Sequence, residues 1–287
     1  MLGHVLILGS QGGFGRLFTR LFEAEGVGIT GLDRAAHPAA DPDTALDVAL
    51  DAALAALPPA GVQAVVLCIP ESEVVHTVPR LVQKSPLTGA LFIDICSVKS
   101  KVVRAFGGDV HHLSLHPMFA PSAGFDQQNV CYIDSKINQS APADPSSPDP
   151  SSADARIAHM LDLLRRWGAN LVRLESFEQH DRLTAYGQAA AHAAAVAFGL
   201  TLARADVDAA QLSAVSTPVH RLLAEAAARI AAGDPSVYRT IQHANPHAAA
   251  ARQALAATLA ELDAAAATPD PAAFERLLRH LRESPGQ

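Results

Sequence analysis

The sequence is poor in cysteine, in basic charge and in long apolar runs, and each shortage removes a class of protein. Three cysteines, Cys68, Cys96 and Cys131, stand among 287 residues. An odd count without paired spacing is neither a disulfide framework nor a zinc site. Cys68 and Cys96 close apolar stretches and read as small buried hydrophobes in a reducing compartment. Lys and Arg number 22 against 29 Asp and Glu, a formal net charge of −7 with a pI of about 6.0. That balance argues against a nucleic-acid partner or an anionic membrane, both of which select a basic face. No apolar run approaches the roughly 20 residues that span a bilayer. The chain enters its first strand without a basic leader segment, so the expectation is a cytoplasmic protein with no membrane association. Apolar residues are plentiful, at 49%, enough for one large domain or two of ordinary size.

His4-Val5-Leu6-Ile7-Leu8 is a short apolar strand, followed by Gly9-Ser10-Gln11-Gly12-Gly13-Phe14-Gly15. Residues 16–25 have helical spacing, with Phe14, Phe18 and Phe22 on one side, and Gly26 stops the helix. A second strand, 27–32, ends at Asp33. Strand, glycine loop, helix, strand and acid is the order of a dinucleotide site. Glycines let the backbone turn tightly against a pyrophosphate, and the helix N-terminus favours its charge. Asp33 lies 18 residues past Gly15, close to the roughly 20 expected of the acid that binds a ribose 2′-hydroxyl. The loop is Gly-x-x-Gly-x-x-Gly, one residue longer between its first two glycines than the standard fingerprint. A tight turn in some other α/β protein is the plainer alternative. Asp33 favours NAD, because a carboxylate there repels a 2′-phosphate, while Arg34 beside it leaves NADP open. Ile69 and Pro70, where the strand 62–70 ends, complete the expected cofactor-binding set of Gly9, Ser10, Gln11, Gly12, Gly13, Phe14, Gly15, Asp33 and Arg34.

Two later apolar runs end in polar clusters, the first in Ser97-Val98-Lys99 and the second in His116-Pro117-Met118-Phe119. Such runs suit a buried parallel sheet, whose ligands bind beyond the carboxyl ends of the strands. Ser97, Lys99 and His116 are therefore candidates for chemistry. Each has a plainer reading. Ser97 would cap the next helix, Lys99 would be a solvated surface charge, and His116 would be a satisfied core histidine. Against the last, an ordinary imidazole pKa near 6.5 suits a general base. His111 and His112 read as loop residues and His76 as a surface one. Strands at 129–134 and 169–174 complete the domain. Between them, residues 135–155 are rich in Ser, Pro, Asp and Ala and read as a disordered surface insertion.

From residue 177 onward strand patterns vanish and alanine-rich helices run nearly to the end. The organisation is thus α/β, a Rossmann-type nucleotide-binding domain over 1–176 followed by an all-helical dimerisation domain over 177–287. A helix as apolar all round as 189–202 should be buried. The same helix of a second copy is its simplest cover, so a homodimer is expected. Glu178-Gln179-His180-Asp181-Arg182 opens this region, and Gln188 and His192 follow at helical spacing. Polar side chains inside an apolar stripe need partners, across an interface or in a site. Arg221 and Arg229 share a helix face and suit a carboxylate, with surface solvation the default for both.

These motifs together resemble the prephenate and arogenate dehydrogenase family of tyrosine biosynthesis, over nearly the whole chain. The resemblance rests on the glycine loop, on Asp94-x-x-Ser97-Val98-Lys99, on His116-Pro117-Met118-Phe119-x-Pro121, and on His180-Asp181-x-x-x-Ala185-x-x-Gln188-x-x-x-His192. It implies an NAD(P)-dependent oxidative decarboxylation of a cyclohexadiene carboxylate, without a metal. It implies His116 as the base on a C4 hydroxyl, with Ser97 holding the same oxygen. His180 and Gln188 would help bind substrate, and Arg229, or else Arg221, would take a substrate carboxylate. Ala120 stands where the family usually has Gly, and Gln179 where it usually has Glu. These departures leave prephenate, arogenate and 4-amino-4-deoxyprephenate all open as substrates. A reading of another class, an NAD-sensing regulatory protein without turnover, is opposed by the presence of both Ser97 and His116.

Overall fold

A computed structural model describes residues 1–33, 42–58, 61–107, 110–134 and 152–284. Arg34 and all but the last four positions of the segment 135–155 lie outside the described residues. The chain divides into two compact units, Met1–His180 and Asp181–Gln287.

The first unit is built on seven strands: β1 His4–Leu8, β2 Gly28–Leu32, β3 Ala64–Leu67, β4 Leu91–Asp94, β5 His112–Pro117, β6 Asn129–Asp134 and β7 Asn170–Arg173. They form one sheet in the order β2-β1-β3-β4-β5-β6-β7. The chain leaves β1 for β2 on one side and returns to β3 on the other. The switch point, where α/β sheets bind ligands, therefore lies between β1 and β3. Neighbouring strands are parallel except β5 and β6, which are antiparallel. This departs from the expected parallel sheet, and the connection explains it. Residues 118–128 hold one short 3-10 turn, Pro121–Ala123, and no helix that could carry a crossover back to the start of β5.

Side chains alternate along each strand, and the alternation sorts the core into two layers. Val5, Ile7, Val66, Ile93, Leu113 and Leu115 pack with α1 (Gly13–Ala24) and α5 (Ala153–Arg166). Leu6, Leu8, Val65, Leu67 and Phe92 pack with α2 (Pro42–Ala55), α3 (Glu71–Leu81) and α4 (Val102–Phe106). The three cysteines are free, and burial pushes the Cys68 and Cys96 thiols up, away from reactivity.

A continuous helical run from 177 to 204 consists of α6 (Phe177–Thr184), a π-helical turn (Ala185–Ala190) and α7 (Ala191–Arg204). After it come α8 (Ala209–Ala214), α9 (Pro218–Ala231), α10 (Pro235–Ala244), α11 (Ala248–Ala267) and α12 (Pro271–Glu283). α8 to α10 and α12 each start at an Asp or Thr whose side chain accepts a backbone N–H of the first turn. Gly199 of α7 meets Ala227 of α9 so closely that a Cβ there would lie 2.9 Å from the Ala227 methyl. α7, expected from its composition to be covered by a second copy, is largely uncovered within this chain. Of its side chains only Ala195 is buried, while Val196 and Leu200 are 39% and 45% exposed. Among the described residues no helix is long and apolar enough to cross a membrane.

Candidate active site

The glycine loop closes the switch point. Gly9 has φ +77°, and a Cβ on it would lie 2.3 Å from the Cys68 carbonyl oxygen and 3.0 Å from Ile69. A Cβ on Gly15 would lie 2.0 Å from the Gly9 carbonyl oxygen. The loop thus has its shape only with glycine at both ends. α1 starts after Gly12 with no side-chain cap and no acid in its first turn, which leaves its N–H groups to an anion. Asp33 follows β2, and its Oδ2 accepts the Gln11 N–H at 3.1 Å. This cradle fits a dinucleotide pyrophosphate, with Ile69 against its floor.

The segment after β5 packs on that cradle. A Cβ on Gly13 would lie 2.8 Å from Pro121, and the Phe14 and Phe119 rings meet edge to face at 5.7 Å. The end of β5, and with it His116, is thereby held beside the nucleotide loop. Ala120 has φ −81° and ψ 147°, ordinary extended backbone, so the position makes no demand for glycine.

On β5, His112, Ser114 and His116 point to one face while Leu113 and Leu115 enter the opposite core layer. All three polar residues are buried. His116 Nδ1 and His180 Nε2 are 2.8 Å apart, so one imidazole donates to the other. Burial, then the neighbouring His180 and Lys99, hold the His116 pKa well below the usual 6.5, with Asp94 opposing. His116 is therefore a neutral imidazole at physiological pH. His180 is fully buried at the last position of the first unit. Ser97 is half-buried in the loop after β4. It does not cap α4, whose N-cap is Lys101. Gln179 is occupied in capping: Ser176 Oγ accepts its N–H at 3.0 Å, and its Oε1 accepts the Glu175 N–H at 2.7 Å.

Behind His116 lies a buried charged cluster of Asp94, Lys99 and His112. Lys99 is 1% exposed rather than solvated, and His112 opens β5 rather than lying in a loop. Asp94, 0% exposed, gathers them. Its Oδ1 accepts Lys99 Nζ at 2.6 Å and the Cys96 N–H at 3.0 Å, and its Oδ2 lies 2.7 Å from His112 Nε2. Burial alone would raise the Asp94 carboxyl, but the Lys99 charge and the His112 hydrogen bond outweigh it. The carboxyl sits well below the usual range. The His112 ring stacks on Phe106 at 3.8 Å. The available signal was the period-2 alternation of His112, Ser114 and His116 with leucines, which puts three polar groups on one face.

In the helical unit, Gln188 lies in the π turn and is half-buried, as is His192, whose ring meets Tyr238 at 5.2 Å. Arg221 and Arg229 are exposed on α9, and Arg221 Nη1 donates to the Ser216 carbonyl at 3.2 Å. Asn245 donates from Nδ2 to the Asp181 carbonyl at 2.8 Å and to Thr184 Oγ1 at 3.2 Å, satisfying acceptors just before the π turn.

A family model described as the dimerization domain of prephenate dehydrogenase matches residues 176–283. Over 292 residues, the chain is 34% identical to a 4-amino-4-deoxyprephenate dehydrogenase of Streptomyces pristinaespiralis, across 98% of this chain and 91% of that protein. It is 30% identical over 247 residues to the T-protein of Enterobacter agglomerans, across 84% of this chain but 56% of that protein. It therefore spans little more than half the length of that relative. Two solved structures share the fold. A prephenate dehydrogenase from A. aeolicus, in complex with hydroxyphenyl propionate and NAD+, has a TM-score of 0.63 at 20% identity, over 99% of this chain and 96% of that one. An arogenate dehydrogenase from Synechocystis has a TM-score of 0.61 at 15% identity, over 98% of each chain. With a near-full-length relative at this identity, the chain belongs to the prephenate and arogenate dehydrogenase family.

Proposed function

We propose that the protein uses NAD to oxidise and decarboxylate a prephenate-type cyclohexadiene, with prephenate itself as substrate and 4-hydroxyphenylpyruvate as product. The observation that carries this is a buried, neutral His116 bonded through Nδ1 to His180 and held beside the glycine loop. NAD, seated by residues 9–15, Asp33, Ile69 and Pro70, supplies the hydride acceptor. His116 donates its Nδ1–H to His180, which leaves the Nε2 lone pair for the C4 hydroxyl of the ring. As the C4–H bond breaks, the hydroxyl proton passes to Nε2 and a C4 carbonyl forms. A weak base suffices, because that hydroxyl proton becomes acidic as the carbonyl develops. The bond to the ring carboxylate then breaks, carbon dioxide leaves, and its electrons make the ring aromatic. Ser97 holds the C4 oxygen, and Arg229, or else Arg221, takes a substrate carboxylate. The exposed apolar side of α7 is covered by a second copy of the chain, in keeping with the dimerization model that matches this region.

A second reading, 4-amino-4-deoxyprephenate as substrate, is favoured by the S. pristinaespiralis relative, which matches almost end to end. Assaying prephenate, arogenate and 4-amino-4-deoxyprephenate, each with NAD and NADP, separates the readings. We expect the highest kcat/KM with prephenate and NAD. A higher value with the amino compound moves the assignment to the second reading, and no reduced cofactor from any of the three rejects both. In the same assay His116→Asn lowers turnover by about 100-fold or more with NAD affinity kept. Wild-type turnover in that variant removes the base.

A further inference from the structure

We propose that Lys99, clamped between the Asp94 carboxylate and the Leu115 carbonyl, is a positioning residue for His116. The inference rests on His116 being the base. It starts from the sheet ladder. His111, one residue before β5, accepts the Phe92 N–H from the β4 side, whereas Met118 donates to Asn129 on the β6 side. Carbonyls alternate along a strand, so that of Leu115, like that of His111, faces β4. But β4 ends at Asp94, whose partner across the ladder is Ser114. The Leu115 carbonyl lies one step past the last rung, and Lys99 Nζ takes it at 2.7 Å. This carbonyl belongs to the peptide group that joins Leu115 to His116, so the ammonium pins the plane from which the base is hung.

The other end of the clamp holds Ser97. Asp94 Oδ1, which accepts Lys99 Nζ at 2.6 Å, also accepts the Cys96 N–H. One carboxylate thereby ties the loop that carries Ser97 to the strand that carries His116. Burying an ammonium is costly, and the Asp94 carboxylate and the Leu115 carbonyl offset that cost. The pair also acts on the imidazole through space. His116 is faced by His180 from α6, Lys99 from the loop after β4, and Asp94 from β4, and His112, on the same face of β5, is paired with Asp94. Lys99 disfavours the imidazolium, and Asp94 favours it. Removing either charge must therefore move the base in opposite directions, which a purely structural brace does not predict.

The test compares Lys99→Met, Asp94→Asn and the double variant by the pH profile of kcat with prephenate and NAD. The His116 imidazole is also followed by NMR in the ligand-free protein, its signal assigned through His116→Asn. For Lys99→Met the acid limb and the imidazole titration move up by about one pH unit. Turnover falls roughly 10- to 100-fold, with KM for prephenate within about twofold. For Asp94→Asn both move down. In the double variant the limb returns near its original position while turnover stays low, because the Leu115 carbonyl is still untied. Unmoved limbs, single variants that shift the same way, or a double variant with full turnover overturn the proposal. Circular dichroism checks folding; if Lys99→Met loses its fold, the double variant, which buries no lone charge, decides. Full turnover in His116→Asn rejects the base instead, and the NMR titration then still reads the effect of Lys99.

Discussion

Val65 on β3 and Val196 on α7 are the same side chain in opposite circumstances. Val65 is 0% exposed between layers of its own unit, whereas Val196 is 39% exposed. The contrast extends to whole regions. The sheet unit seals its apolar strands under helices on both faces and has interior to spare for an Asp, a Lys and three His. The helical unit leaves Leu200, Val215, Val219, Leu222, Leu259 and Leu281 in the open. Apolar area that stays in water is worth about 25 cal/mol per Å² when covered. The first unit covers its own apolar strands, whereas the second leaves apolar area exposed, in keeping with the proposal that a second copy covers it.

The contrast can be broken from either side. The largest effect is expected in the sheet unit, from Gly15→Ala. Its new Cβ would stand 2.0 Å from the Gly9 carbonyl oxygen, and the backbone of the cradle must shift. Overpacking of this kind costs about 1–3 kcal/mol. NAD affinity measured by calorimetry should fall by roughly 10- to 100-fold, and unchanged affinity would place the cofactor elsewhere. Next is Leu200→Glu. A carboxylate in the face that we propose a second copy covers should weaken the dimer by about 10-fold, read by analytical ultracentrifugation, while the melting of the sheet unit stays put. An unaffected dimer would move the interface off α7. Asn245→Ala should cost about 1 kcal/mol. It removes the buried bonds to Asp181 and Thr184, while the Thr184 hydroxyl still donates to the Asp181 carbonyl. Denaturant unfolding measures this.

Acidification gives the smallest and most graded effect. The folded chain holds His116 below its ordinary pKa, so between that value and about 6.5 the unfolded chain binds a proton that the folded chain does not. Stability from this group is full above about pH 6.5 and falls below it, by up to about 1.4 kcal/mol per pH unit. Asp94, held low, contributes stability that is lost only below the ordinary carboxylate range near pH 4. Between pH 7.5 and 5, His116→Asn should therefore flatten the fall in Tm. Because His4, His159 and His192 are shifted the same way, the slope should not vanish, and an unchanged slope would show that His116 is not the buried neutral group.

The strands, the glycine loop and the helical run from 177 to 204 were legible because their signals are local: apolar runs, glycines at fixed offsets and uninterrupted helical spacing. The reversal at β6 was not, since strand direction depends on how long a connection the chain can make. The loop reading of His112, and the plainer reading of Lys99 as a solvated charge, fail for a related reason. Each is buried only because Asp94, five residues before one and 18 before the other, meets it in space. A lysine in a string of letters shows no sign of the carboxylate that shelters it. Gln179 shows the converse. It departs from the family pattern, but its side chain serves the start of α6, and no difference in ligand preference is needed to account for it.

The π turn at Ala185–Ala190 has a consequence for the evolution of this chain. A wide turn accommodates one residue more than an ordinary helical turn, and one residue is about 100° of rotation. Everything on α7 is therefore aimed by a single inserted position. Deleting one alanine there would let the helix close up and swing Val196 and Leu200 by more than a quarter circle. A change that small in the gene would re-aim the whole face without altering one of its side chains.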